Sequence, residues 1–241
     1  MSGGPDCWTP EYDAVLVEEA VAFAFRGEPL APYWVARSKV YEIADEDARA
    51  REFLRLAREE FEARGLSHPL DQALRERPVI AGATAGCLVT PAVTARDEGA
   101  ELFVRRPQVG PEARRLVVRL RSSSFADPER LLAFLRHELY HIADMVDPAF
   151  GYEPVIGDAD ATPGRARLLV ARYRALWDAA IDGRLAREGR ADPSLREARR
   201  RDLASAFPGL EAEAFEEWLD GSAHTHRELA VFALGRVASR A

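Results

Sequence analysis

Cysteine, lysine and long apolar runs are all scarce in this chain of 241 residues. The two cysteines, Cys7 and Cys87, form no CxxC pair, which excludes a cysteine-based zinc site and argues against a disulfide scaffold. Lys39 is the only lysine, so nearly all basic residues are arginines. This preference is typical of GC-rich bacterial coding, and we draw no functional prediction from it. The longest weakly apolar stretch, residues 79–95, is interrupted by Gly, Thr and Pro and predicts no membrane span.

The N-terminus and the charge balance restrict the location and the partners that we expect. MSGGPDCWTPEYD has neither a basic head nor an apolar run, so we expect no signal peptide and a cytoplasmic protein. The net charge of −7 argues against a protein that coats nucleic acid or an anionic membrane. The arginine-rich segment 183–201 is interleaved with acidic residues, which is typical of a solvated helical face. Neither nucleic acid nor a membrane is therefore an expected partner.

Hydrophobic periodicity predicts helices at both ends of the chain and short strands between them. We predict helices over residues 10–27, 42–65, 67–77, 127–146, 165–188, 194–220 and 226–240. After Pro78 the sequence pattern changes to short runs that are β-branched or alternate between apolar and polar residues. These runs are VIAGATAG, CLVTPAVTA, AELFVRR and RRLVVRLRSS. The last two runs are typical of neighbouring antiparallel strands.

These elements together predict an α+β fold, mostly helical, with a small mixed or antiparallel sheet. Residues 1–77 form a predicted N-terminal helical region, and residues 78–241 form a predicted α+β domain. One continuous domain is the alternative organisation.

The stretch FLRHELYHIADMVDP, residues 134–148, carries two histidines one helical turn apart. His137 and His141 therefore point the same way, as two nitrogen ligands of one zinc ion must. Steps of about 100° per residue place Glu138 at the edge of the apolar face, nearest His141. That face consists of Leu131, Leu135, Leu139, Ile142, Met145 and Val146. Because a carboxylate there is costly to desolvate unless it meets a proton, a cation or a metal-bound water, Glu138 is the candidate general base.

HELYH, residues 137–141, matches the HExxH pattern, and the chain resembles the zincin metallopeptidases over about residues 100–185. The resemblance implies a zincin-like domain within residues 78–241, with Zn²⁺ held by His137 and His141. It also implies a hydrolase that acts on a peptide or protein substrate. The run RRLVVRLRSS precedes the histidine helix, as does the edge strand that holds extended substrate in zincins.

Two histidines do not complete a catalytic zinc site, so a third protein ligand is required. We favour Asp178, 37 residues after His141 on a separate predicted helix, as in many zincins. Asp182, four residues further on, could then anchor a neighbouring element. The alternatives are Asp147, at the spacing of the HExxHxxGxxH enzymes, and the distal residues Glu228, His224 and His226. Glu228 also has the capping-box spacing from Thr225, which is a plainer role.

Two further residues have weaker predicted roles. Asp144, three residues after His141, could accept an imidazole N–H and fix the tautomer of a ligand. Tyr152 could stabilise an oxyanion, as tyrosines do in several zincins. The competing hypothesis is a non-catalytic helical binding or regulatory module, with or without a structural metal, whose histidines lie on the helix surface.

Overall fold

The computed structural model describes residues 8–154, 156, 162–192 and 194–235. The chain divides into two compact units, residues 1–142 and 143–241. The division falls within the histidine helix, which is continuous. The predicted boundary at residue 77 remains a prediction.

The described residues of the first unit form a small sheet and several helices. The strands are β1 (Glu11–Tyr12), β2 (Cys87–Pro91), β3 (Gly99–Val104) and β4 (Arg114–Leu120). The helices are α1 (Ala14–Ala24), α2 (Pro32–Val40), α3 (Glu46–Ala63), α4 (His68–Arg75), α5 (Pro78–Ala83) and α6 (Pro128–Val146), whose last turn belongs to the second unit.

The sheet is mixed, in the order β1-β2-β4-β3. β2 runs parallel to both β1 and β4, and β3 runs antiparallel to β4. The predicted α+β class and the predicted antiparallel pair are therefore confirmed. The expectation that RRLVVRLRSS is an edge strand is wrong, because β4 lies between two neighbours and β3 takes the edge. The alternating pattern of β4 indicates that one face of the strand is buried, and Leu116, Val118 and Leu120 are indeed fully buried. The pattern does not indicate whether a strand has one neighbour or two.

Two helices of the first unit differ from the sequence prediction. The run VIAGATAG forms α5 instead of a strand, because Pro78 starts a helical turn and Ile80 anchors it in the core. Thr84 then closes the turn by donating its hydroxyl to the carbonyl oxygen of Ile80 at 2.7 Å. α2 was not predicted, because its short sequence buries little more than Tyr33 and Val40.

Helix α6 forms as the sequence predicts. Asp127 caps it by accepting the backbone N–H of Arg130 at 3.0 Å, and the helix ends at Val146. Five of the six predicted core positions, Leu131, Leu135, Leu139, Ile142 and Val146, are buried. This burial fixes the rotation of α6 and leaves His137, Glu138 and His141 half-buried at the border of the apolar face.

The second unit is helical. After the last turn of α6 it contains α7 (Pro163–Arg187), α8 (Ser194–Ala206), α9 (Glu216–Leu219) and α10 (His226–Ala233). The single helix predicted over 194–220 is wrong, because Pro208 and Gly209, with φ +89°, interrupt it. The predicted end of the last helix near residue 240 lies outside the described residues. No helix in the described part of the chain is long and apolar enough to cross a membrane.

Candidate metal centre

The two histidines of α6 face each other at the spacing of two zinc ligands. The Nε2 atoms of His137 and His141 are 3.2 Å apart, and their ring centroids are 4.9 Å apart. Two nitrogens bound at about 2.0–2.1 Å to a tetrahedral zinc lie about 3.3 Å apart, so the observed separation fits such an ion. Without metal, the same distance suits an N–H···N hydrogen bond in which one ring donates to the other.

Asp178 joins this pair. His137, His141 and Asp178 each offer a ligand atom, and the three atoms lie within 4.8 Å of one another. This group could therefore hold a metal ion. Two imidazoles and one carboxylate are donors that suit zinc and leave a fourth position open.

An arginine of α8 adjoins the candidate ligand Asp178. The guanidinium of Arg199 lies 3.6 Å from Asp178 Oδ2 and 2.6 Å from Asp182 Oδ2. Burial alone would lower the pKa of Arg199, but the carboxylates of Asp182 and Asp178 raise it, so the guanidinium stays charged. Asp182 thus anchors a neighbouring helix one turn beyond Asp178, as its spacing suggested. No local signal in the sequence distinguishes Arg199, because α8 carries many arginines.

Glu138 is held by the edge strand of the sheet. Its Oε2 accepts the backbone N–H of Ala100, at the start of β3, at 3.1 Å. The neighbouring Gly99 leaves room for this contact, because a Cβ there would lie 3.3 Å from Oε2. Glu138 therefore has a defined orientation, set by a strand that is distant in sequence.

The start of β3 is itself anchored by Glu98. Its carboxylate accepts the backbone N–H and the Nε–H of Arg121 and the hydroxyl of Ser124, at 3.0, 2.9 and 2.5 Å. Burial alone would raise the pKa of Glu98, but the hydrogen bonds from Ser124 and Arg121 lower it. No local pattern in the sequence marks Glu98, because its partners are 23 and 26 residues away.

Asp144 makes its described contacts with α7. It is buried, and its carboxylate accepts Nε1–H of Trp177 at 2.7 Å and two N–H groups of Arg184 at 2.9 and 2.6 Å. The predicted bond from Asp144 to an imidazole remains a prediction.

The other predicted ligands have partners of their own. Asp147 is exposed after the end of α6 and accepts the backbone N–H of Ala149 at 2.8 Å. Glu228 forms the predicted capping box with Thr225 at the start of α10. The ring of His224 lies 4.2 Å from that of Trp218, and its Nε2 lies 3.1 Å from the carbonyl oxygen of Glu217.

His226 and Tyr152 belong to an aromatic cluster of the second unit. His226 is buried, its Nδ1 lies 2.8 Å from the hydroxyl of Tyr173, and burial lowers its pKa. Tyr152 stacks on Trp177, the residue before Asp178, with ring centroids 5.7 Å apart. Burial raises the pKa of Tyr152, so its phenol stays protonated and able to donate a hydrogen bond. Its predicted role at an oxyanion remains a prediction.

Comparison of the chain with protein-family models, with curated proteins and with solved structures found no match.

Proposed function

We propose that this protein is a zinc-dependent hydrolase in which His137, His141 and Asp178 bind the metal and Glu138 is the general base. One observation carries the proposal, namely that these three ligands from two helices lie within 4.8 Å of one another. A group of two imidazoles and a carboxylate leaves a zinc coordination position open for water or substrate. When bound, such an ion supplies an acidified water and polarises a carbonyl group.

In this proposal Glu138 accepts the proton of that water. It follows His137 directly on α6, and the N–H of Ala100 fixes its Oε2, so Oε1 is the oxygen that takes the proton. Proton transfer by a positioned carboxylate contributes about 10²- to 10⁴-fold to a rate. In this proposal the carboxylate then delivers the proton to the leaving group.

A peptide is the substrate class that the proposal favours. β3 is an edge strand of the sheet, and Glu138 is bonded to its second residue. An extended peptide that paired with the outer side of β3 would pass beside the general base. The resemblance to zincins implies such an edge strand but assigns it to the run that forms β4, so the proposal gives this role to β3 instead. A cytoplasmic location also belongs to the proposal.

A second candidate is a non-catalytic helical module with or without a structural metal. The hydrogen bond between Glu138 and Ala100 favours it, because this bond gives the glutamate a structural role that needs no catalysis. A hydrogen bond between the two histidine rings would likewise explain their contact without any metal.

Metal content of the purified, untagged protein tests the first step. We expect about one zinc per chain, lost in His137→Ala and in Asp178→Asn but retained in Glu138→Gln. Two matched controls should retain it, namely His68→Ala, at an exposed histidine, and Asp202→Asn, a carboxylate that also contacts Arg199. No zinc in the wild type after zinc addition and dialysis would refute the metal site.

Cleavage of a mixed peptide library, read by mass spectrometry, tests the second step. Zinc-loaded wild type should cut peptides, and zinc-loaded Glu138→Gln should cut about 10²- to 10⁴-fold more slowly. Retained zinc without cleavage of any peptide or ester by the wild type would favour the structural metal. Equal rates for the wild type and Glu138→Gln would remove Glu138 from the role of base.

A further inference from the structure

Asp144 receives three hydrogen bonds from a single neighbouring helix. Trp177 Nε1 donates at 2.7 Å, and Arg184 donates through both terminal nitrogens at 2.9 and 2.6 Å. The Asp144 side chain is 7% exposed and that of Arg184 is 14% exposed, so water screens this pair little. Bidentate, charge-assisted hydrogen bonds between a guanidinium and a carboxylate are strong and directional.

The two donors lie on one face of α7, two turns apart. A spacing of seven residues corresponds to about 10 Å along a helix and returns to nearly the same side. Because both side chains converge on one carboxylate, the contact restrains α7 against sliding along its axis and against rotating about it. Asp178 directly follows Trp177, so the same contact limits where its carboxylate can lie.

The Trp177 end of this contact is rigid. Its ring stacks on Phe150 and on Tyr152, at centroid distances of 5.3 and 5.7 Å, and meets the edge of Tyr173 at 5.5 Å. Rings packed on several sides cannot reorient without disturbing the core. A shift of the Asp144 carboxylate would therefore move Trp177 together with the α7 backbone beside Asp178.

We propose that Asp144 is a positioning residue that acts on the metal ligand Asp178 through Trp177 and Arg184. This role rests on the proposed function, because it requires that Asp178 bind a metal. It goes beyond the usual role of a carboxylate that orients a ligating imidazole, because the ligand positioned here is a carboxylate on another helix.

Zinc affinity, measured by competition with a chromophoric chelator, tests the role. We expect Asp144→Asn to weaken binding about 10- to 100-fold, the usual effect of removing an outer partner of a metal ligand. Trp177→Phe deletes the Nε1 donor, keeps a ring in the core and should weaken binding in the same direction by a smaller factor. It also serves as the second variant if Asp144→Asn does not fold.

A double-mutant cycle separates positioning from simple electrostatics. In an Asp178→Asn background only a weak affinity from the two histidines remains, and it is measured by direct zinc titration. If Asp144 acts through Asp178, Asp144→Asn should change this residual affinity less than about twofold. A long-range charge effect on the metal would persist in that background. The visible spectrum of the cobalt(II)-loaded protein should shift in Asp144→Asn, because a displaced ligand alters the coordination geometry.

Glu76→Gln is the matched control, because Glu76, at the end of α4, pairs with Arg136 of α6. It breaks the Arg136–Glu76 pair, which has two hydrogen bonds of 2.9 and 2.8 Å and exposed fractions of 18% and 12%. We expect it to lower stability and leave zinc affinity within about twofold. Unchanged affinity in folded Asp144→Asn, or an equal loss in Glu76→Gln, would overturn the role of Asp144 alone. Absence of zinc from the wild type would overturn the proposed function and this role with it.

Discussion

Replacing Gly183 by alanine tests how α7, the helix that carries Asp178, is held within the second unit. An added Cβ would lie 2.8 Å from the backbone nitrogen of Gly221 and 3.0 Å from the carbonyl oxygen of Leu219. Both are backbone atoms, one of the last residue of α9 and one of the turn that follows, so no side chain can rotate to make room. The turn or the helix has to move.

The expected loss of stability follows from two opposing terms. Ordinary contacts begin near 3.4 Å, so the backbones must separate by several tenths of an ångström. Overpacking of this kind costs about 1–3 kcal/mol, and replacing glycine by alanine within a helix returns up to about 1 kcal/mol. We therefore expect a net loss of about 1–2 kcal/mol, or roughly 2–8 °C in the melting temperature of a chain of this size.

Urea unfolding followed by circular dichroism measures this effect, and Gly164→Ala provides the control. Gly164 lies in the first turn of the same helix, and a Cβ there meets nothing within 4 Å. Its replacement should leave stability unchanged or raise it by up to about 1 kcal/mol. If Gly183→Ala is as stable as the wild type or as Gly164→Ala, the close approach of Gly183 to Leu219 and Gly221 does not limit the packing of α7.

Two more predictions concern α10. Because burial lowers the pKa of His226 below 6.5, the unfolded chain binds more protons between that lowered pKa and pH 6.5, so stability falls as the pH drops through this window. His226→Gln should remove this part of the pH dependence, which is measured as the slope of the urea unfolding midpoint against pH. Equal slopes for the wild type and His226→Gln would contradict the prediction. Thr225→Ala should cost about 1 kcal/mol through loss of the helix cap. Glu228→Gln, which alters the same cap, should keep its zinc in elemental analysis, and zinc loss from folded Glu228→Gln would return Glu228 to the ligand candidates.

Some elements could be predicted because their signals are local. The start of α6 is set by Asp127 and Pro128, its apolar spacing sets the buried face, and α7 forms over nearly the predicted residues. The capping box of α10 was likewise readable from four consecutive residues. In contrast, α5 was misassigned as a strand, because a short apolar run after a proline is compatible with either structure and only the burial of Ile80 decides it.

The features of the candidate site also fall into two groups, those set by local sequence and those set by tertiary packing. The sequence by itself determined that His137 and His141 lie one turn apart and that Glu138 borders the apolar face, because helix geometry fixes relations between residues close in the chain. Only the tertiary structure decided that Asp178 reaches the histidine pair and that Glu138 is bonded to Ala100. It also decided that Asp144 is bonded to Trp177 and Arg184. These hydrogen bonds join residues 33 to 40 positions apart, and the packing of helices and strands, which no local pattern encodes, sets their distances.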